Sequence, residues 1–187
     1  MTDSDTPEQI LDAAAAVIVR DGVRGASMRS VAREAEVSLG LLSYHFDDKQ
    51  SLMIAAFERA TDLLLERATA EDGSLTEPAE RLRSFVSATF DEQFLRDDYL
   101  SLRISLWAVA RTDDDLAAVE RSLYQRYSDQ LVDRIVAAHP ELDRQQALDR
   151  ATDIIVVQNG LWLNWARYQD LGDLERGIEI CERIAFT

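Results

Sequence analysis

Catalytic chemistry needs a nucleophile, a base or a metal set brought together, and this chain offers little to assemble one. It contains two histidines, His45 and His139, far apart in sequence and neither at metal-ligand spacing. Its one cysteine, Cys181, sits near Ile180 and Ile184 on a helical pattern, the setting of a packed residue rather than a nucleophile. Acid pairs such as Asp97-Asp98 read as helix caps, and no Gly-rich phosphate loop is present. No catalytic residue, metal or cofactor is expected, which leaves an enzyme remote. Groups that could bind a partner are denser between Ser27 and Lys49. Ser43 and Tyr44 can donate to phosphates or bases, and Leu39 or Leu41 can touch a thymine methyl. Gly40, lacking a side chain, permits close approach of the backbone to DNA. The alternative for Leu41 and Tyr44 is packing within their own domain.

To work together these groups need a frame, and the spacing supplies two short helices. Val31, Ala32 and Ala35 share one helical face, and Ser27 can cap that helix. Val37 is a buried-type residue in a turn, and Ser38 is a good cap for a second helix, on which Leu42 and Phe46 can face back onto the first. Two such helices around a tight turn form a helix-turn-helix, whose second member is presented to the DNA major groove. A preceding helix over residues 7–21, capped by Thr6, carries Ile10, Leu11, Ala14, Val17 and Ile18 inward. Asp21-Gly22 closes it, and residues 23–26 connect it to Ser27.

Taken as a set, Arg20-Asp21-Gly22, Ser27, Val31-Ala32, Ala35, Val37-Ser38, Gly40, Tyr44-His45-Phe46 and Lys49 resemble the DNA-binding head of the TetR family of bacterial repressors. The family usually has Gly where Glu36 stands, at a turn that often wants a positive φ, and often Tyr where Ser43 stands. The resemblance implies a homodimer on a palindromic double-stranded DNA operator, released by a small-molecule effector. It also implies phosphate contacts for Ser27, Tyr44, His45 and Lys49. The bland alternatives are a solvated lysine at Lys49 and a core histidine beneath Phe46 at His45. With Ser38, Leu39, Gly40, Leu41 and Ser43 these four complete the candidate DNA-binding set.

The remainder reads as helices throughout. A helix capped by Asp47-Asp48 should run to about Ala70, with a loop at residues 71–74. Further helices are expected over residues 77–94, 99–110, 113–138, 143–168 and 174–185, with Gly172-Asp173 separating the last two. The fold class is therefore all-α, about nine helices: a helix-turn-helix domain over residues 1–50 and a ligand-binding and dimerisation domain over 51–187. The segments Asn159-Gly160-Leu161-Trp162-Leu163 and Leu106-Trp107-Ala108, with Leu42-Ser43, are similar to the choline-responsive betaine repressors of BetI type. Effector candidates are Phe90, Phe94, Tyr99, Arg103, Trp107, Tyr124, Tyr127, Gln158, Trp162 and Trp165. A few aromatics around a cation would form a cage, although aromatics at helical spacing usually fill core. The resemblance places the dimer interface on the last two long helices. The apolar residues available there are Ala147, Ala151, Ile154, Ile155, Gly160, Ile178 and Ile184.

Composition sets the limits. No run of 18 apolar residues exists, so no membrane span is expected. The acidic, polar start lacks a signal-peptide pattern and the single cysteine cannot make an internal disulfide, so a cytoplasmic protein is expected. The net charge of −15 is unusual for a DNA binder. Residues 1–50 hold five cations against nine acids, a net of −4, while residues 20–49 carry five of each sign. DNA would be held by few well-placed cations, amides and hydroxyls. The alternative from another class is an all-helical small-ligand carrier or protein-interaction module that does not bind DNA.

Overall fold

The computed structural model describes residues 5–70 and 74–187, so most of the loop expected at 71–74 lies outside the described residues. These residues form ten helices and no strand. In chain order they are α1 (Asp5–Gly25), α2 (Met28–Glu34), α3 (Leu39–His45), α4 (Lys49–Thr69), α5 (Pro78–Ala88), α6 (Glu92–Leu95), α7 (Asp97–Val109), α8 (Asp114–Ala138), α9 (Arg144–Tyr168) and α10 (Leu171–Phe186).

Short polar side chains start most of them, because the first turn of a helix leaves N–H groups without partners. Ser27 Oγ accepts from Ser30 N at α2, Ser38 Oγ from Leu41 N at α3, and Asp48 from Ser51 N at α4. Asp113 accepts from Leu116 N at α8, and Asp143 from Gln146 N at α9, where Asp143 N in turn donates to Gln146 Oε1. Four boundaries differ from the sequence reading, one of them the start of α7, where Asp97 and Asp98, expected as caps, lie inside the first turn. Thr6 lies inside α1. Gly22, at φ 72° and ψ 162°, leaves the helical region and closes the first run of α1 as expected; a further turn follows it, held by Ala26 N donating to Gly22 O. The helix expected over 77–94 breaks into α5 and α6, because the N–H groups of Phe90 and Asp91 turn back to Ser87 O and Ala88 O. Gly172 and Asp173 belong to the first turn of α10. The separation falls at Gln169, in the left-handed region at φ 50°, with Asp170 capping Asp173 N.

The chain packs as two compact units whose limits do not follow a single cut at residue 50. The first comprises the residues up to Asp62 with Ser101–Arg121, and the second Leu63–Leu100 with Ser122–Thr187. In the first, Ile10, Val17, Ile18, Val31, Leu42, Leu52, Phe57, Leu106 and Leu116 are buried. Two polar contacts add α4 to the later segment: Gln50 Nε2 donates to the Asp113 carboxylate at 3.1 Å, and Arg103 Nη1 to Thr61 Oγ1 at 3.0 Å. In the second unit Leu82, Phe85, Val86, Leu131, Ile135, Ala147, Ala151 and Ile154 form the core. There α9 and α10 approach so closely that a Cβ on Gly177 would overlap the Leu161 side chain.

Candidate functional site

The helix-turn-helix is α2 and α3. Val31, Ala32 and Leu42 bury the inner faces. Between the helices Glu36 sits at φ 55°, the left-handed conformation for which the sequence lacks the usual glycine, and Val37 N donates to Ala32 O at 3.0 Å. With Leu42 pointing inward, 100° per residue puts Gly40 and Tyr44 on the opposite side, Leu41 on one flank, Leu39 and Ser43 on the other. Exposure agrees: Tyr44 is 82 % exposed and does not pack into the domain, while Leu39 at 40 % and Leu41 at 39 % are partly covered by it.

Other members of the set are engaged locally. Ser27 and Ser38 cap their helices. Lys49 is half-buried and its Nζ donates to Arg24 O at 3.2 Å, so it is not simply a solvated lysine. His45 is half-buried with its ring edge-on to Tyr44 at 5.1 Å, and its buried Nε2 has no hydrogen-bond partner. Arg20 is held by Asp21 at 3.1 Å and Glu34 at 2.7 Å, and these bonds raise its pKa further. Arg24, Arg29 and Arg33 are exposed, the last two on α2.

The effector candidates divide between the units. In the first, the Arg103 guanidinium lies over the Trp107 ring at 5.6 Å. In the second, Phe94, Tyr99 and Trp162 form an aromatic group, with ring centroids 4.9 Å apart for the first pair and 6.2 Å for the second. Beneath them Tyr127 OH donates to Gln158 Oε1 at 3.0 Å, while Gln158 Nε2 donates to Val86 O and Thr89 Oγ1, each at 3.2 Å. The indole N–H groups of Trp162 and Trp165 donate to Thr89 O and Leu95 O. Leu95 O is the last carbonyl of α6, and the break after α5 turns Thr89 O toward α9. Sequence reasoning missed Thr89 for that reason. Burial pushes the Tyr127 phenol well above its usual pKa. Phe90 is buried, whereas Tyr124 is 39 % exposed and separate from this group. An open surface hollow is lined by Leu95, Arg96, Asp97, Asp98, Trp165 and Gln169.

The expected dimer residues need correction. Ala147, Ala151, Ile154 and Ile155 are at most 4 % exposed within one chain, so they face its own core and cannot meet a partner. Gly160 is exposed, and Ile178 and Ile184 are half-buried. The outer face of α9 instead carries Leu148, Thr152, Val156, Gly160 and Leu163 at helical spacing, Val156 being 64 % exposed. Cys181 is buried, and burial pushes its thiol up to about 12, the state of a packed residue. Among the described residues no helix is long and apolar enough to cross a membrane, and no group of His, Cys, Asp and Glu could hold a metal ion.

Residues 10–56 match the bacterial regulatory proteins of the tetR family, and residues 78–185 match the C-terminal region of BetI-type transcriptional repressors. An HTH-type transcriptional regulator BetI of Escherichia coli is 30 % identical over 162 residues, 84 % of this chain and 80 % of that protein. The BetI of Burkholderia lata is 28 % identical over 159 residues, with the same coverage. Among solved structures, a transcriptional regulator from Pseudomonas aeruginosa PAO1 superposes with a TM-score of 0.87 at 24 % identity, covering 98 % of this chain and 90 % of that one. A regulator from Saccharomonospora viridis in complex with choline gives 0.78 at 20 % identity, covering 97 % and 95 %. The fold, the exposed α3 and these matches agree: the chain belongs to the TetR family of transcriptional regulators, with a C-terminal region of BetI type.

Proposed function

We propose that the protein is a dimeric, cytoplasmic repressor that grips a palindromic operator through α3 and releases it when a small molecule binds. The observation that carries this reading is the outward face of α3, where a phenol 82 % exposed stands opposite a fully buried leucine. A tyrosine so exposed on a short, well-capped helix gains little from its own fold and fits a groove or phosphate contact. Ser27, Ser38, His45 and Lys49 complete the candidate contacts, and the exposed Arg24, Arg29 and Arg33 supply charge for a chain that is otherwise acidic.

The effector is a cationic or amphipathic small molecule bound beside Phe94, Tyr99 and Trp162. Aromatic faces attract a quaternary ammonium, and the choline held by the S. viridis regulator supports that chemistry. Dimerisation uses the outer face of α9, with Leu148, Val156, Gly160 and Leu163. Coupling runs along α4, which is continuous from Lys49 to Thr69 and begins at a member of the DNA-binding set. Half-sites one turn apart require heads about 34–36 Å apart, so a shift of a few Å prevents simultaneous docking. A coupling of about 1–3 kcal/mol changes DNA affinity by roughly 5- to 150-fold, provided the effector prefers one head spacing.

Calorimetric titration with choline chloride, with and without DNA from beside the protein's own gene, tests the switch. By reciprocity an effector that weakens DNA binding binds the DNA complex more weakly by the same factor. Choline affinity unchanged by DNA refutes choline as the releasing ligand. DNA that the protein does not retain favours the ligand-carrier reading.

A further inference from the structure

We infer that α3 selects its operator through thymine methyl groups, so that the base pairs it faces are A·T rather than G·C. The inference rests on the DNA-binding reading above and specifies its chemistry. In the major groove guanine is read by Arg or Lys, adenine by Asn or Gln, and cytosine by an acidic side chain. The sequence of α3, Leu-Gly-Leu-Leu-Ser-Tyr-His, contains none of these. Its one ionisable cation, His45, has its Nε2 buried. The exposed polar groups are the hydroxyls of Ser43 and Tyr44, which both donate and accept and so discriminate poorly.

What remains is apolar. Leu39 and Leu41 are exposed on either side of Gly40, and the Tyr44 ring lies one turn further on. A Cβ added at Gly40 would meet only Ser38 Oγ, at 3.9 Å, so the glycine is not required by the domain's own packing. Its missing side chain lets the helix seat close to the base edges, within reach of the one apolar group there, the thymine C5-methyl. Arg29 and Arg33 lie on α2, the helix that crosses the backbone in this motif, and so serve phosphates.

The test selects binding sites for the full chain from a duplex library with a randomised core. The recovered duplexes are then measured by fluorescence anisotropy with deoxyuridine in place of single thymines. The expected consensus has A·T pairs at the positions facing α3, and each contacted methyl removed weakens binding about fourfold. Placing 5-methylcytosine for cytosine in a G·C variant restores part of the loss, because it returns a methyl to the same position. Leu41→Ala, whose fold is checked by circular dichroism, binds thymine and uracil duplexes alike at the position Leu41 faces. Invariant G·C pairs opposite α3, or equal affinity of the wild-type chain for thymine and uracil duplexes, overturns the inference while leaving operator binding intact. A selection that enriches no sequence overturns the DNA-binding reading, and this inference with it.

Discussion

Replacing Val156 by aspartate should abolish the proposed dimer without unfolding the chain. Val156 is 64 % exposed in a single chain, so a charge there costs the protomer little. Across a two-fold interface the loss counts twice. Burying one valine side chain is worth about 1.5–3 kcal/mol, so two contribute about 3–6 kcal/mol, and removing them raises the dimer Kd by roughly 10²- to 10⁴-fold. The like charges brought together near the axis add to this. Ile155, the next residue, is 4 % exposed, and an aspartate there buries an ionised group among the core residues of the same chain. That change destabilises the protomer itself by more than about 4 kcal/mol. Sedimentation velocity across a concentration series, paired with circular dichroism and thermal unfolding, distinguishes the two. Val156→Asp should give folded monomer, and Ile155→Asp a poorly folded chain. A Val156→Asp dimer of undiminished strength refutes the assignment of the outer face of α9.

Gln158→Leu leaves the buried Tyr127 hydroxyl without its acceptor and should cost about 1–3 kcal/mol in urea unfolding, with part of the loss recovered when Tyr127→Phe is added. Glu36→Gly relieves a left-handed residue at φ 55°; the gain of about 1–2 kcal/mol exceeds the entropy cost of glycine, so Tm should rise, and a fall contradicts the strain argument. Asp113 is held below its ordinary pKa of 3.8, first by Leu116 N–H and then by the Gln50 side chain. Its contribution is present above that ordinary value and is lost as pH falls through the lower folded one. Thermal unfolding of Asp113→Asn should therefore fall less steeply than wild type as pH is lowered below about 4.

Much of the fold was legible because its boundaries are written in capping side chains. Ser27, Ser38, Asp48, Asp113 and Asp143 each start the helix they were expected to start. The misplaced boundaries lie where backbone geometry decides. Gly22 closes the first run of α1 with a positive φ, as its type suggests, whereas Gln169 adopts the left-handed state without being a glycine. The face of α9 was illegible for a different reason. The helix is apolar on both sides, Ile154 and Ile155 inward and Leu148, Val156 and Leu163 outward, and periodicity cannot rank two stripes. The aromatic residues of the second unit were identifiable by type, but their partners are carbonyls at the C-terminal ends of α5 and α6, which no spacing announces.

Operator binding itself is tested most directly by anisotropy titration of the wild-type chain. The comparison is between a duplex from upstream of its own gene and a scrambled duplex of equal length and composition. Regulation through the face of Gly40 and Tyr44 predicts that the upstream duplex is bound at least about 10³-fold more tightly at physiological salt. It also predicts that Tyr44→Ala loses most of that advantage without loss of folded protein. Equal affinity for the two duplexes, or a preference that Tyr44→Ala leaves unchanged, contradicts the account.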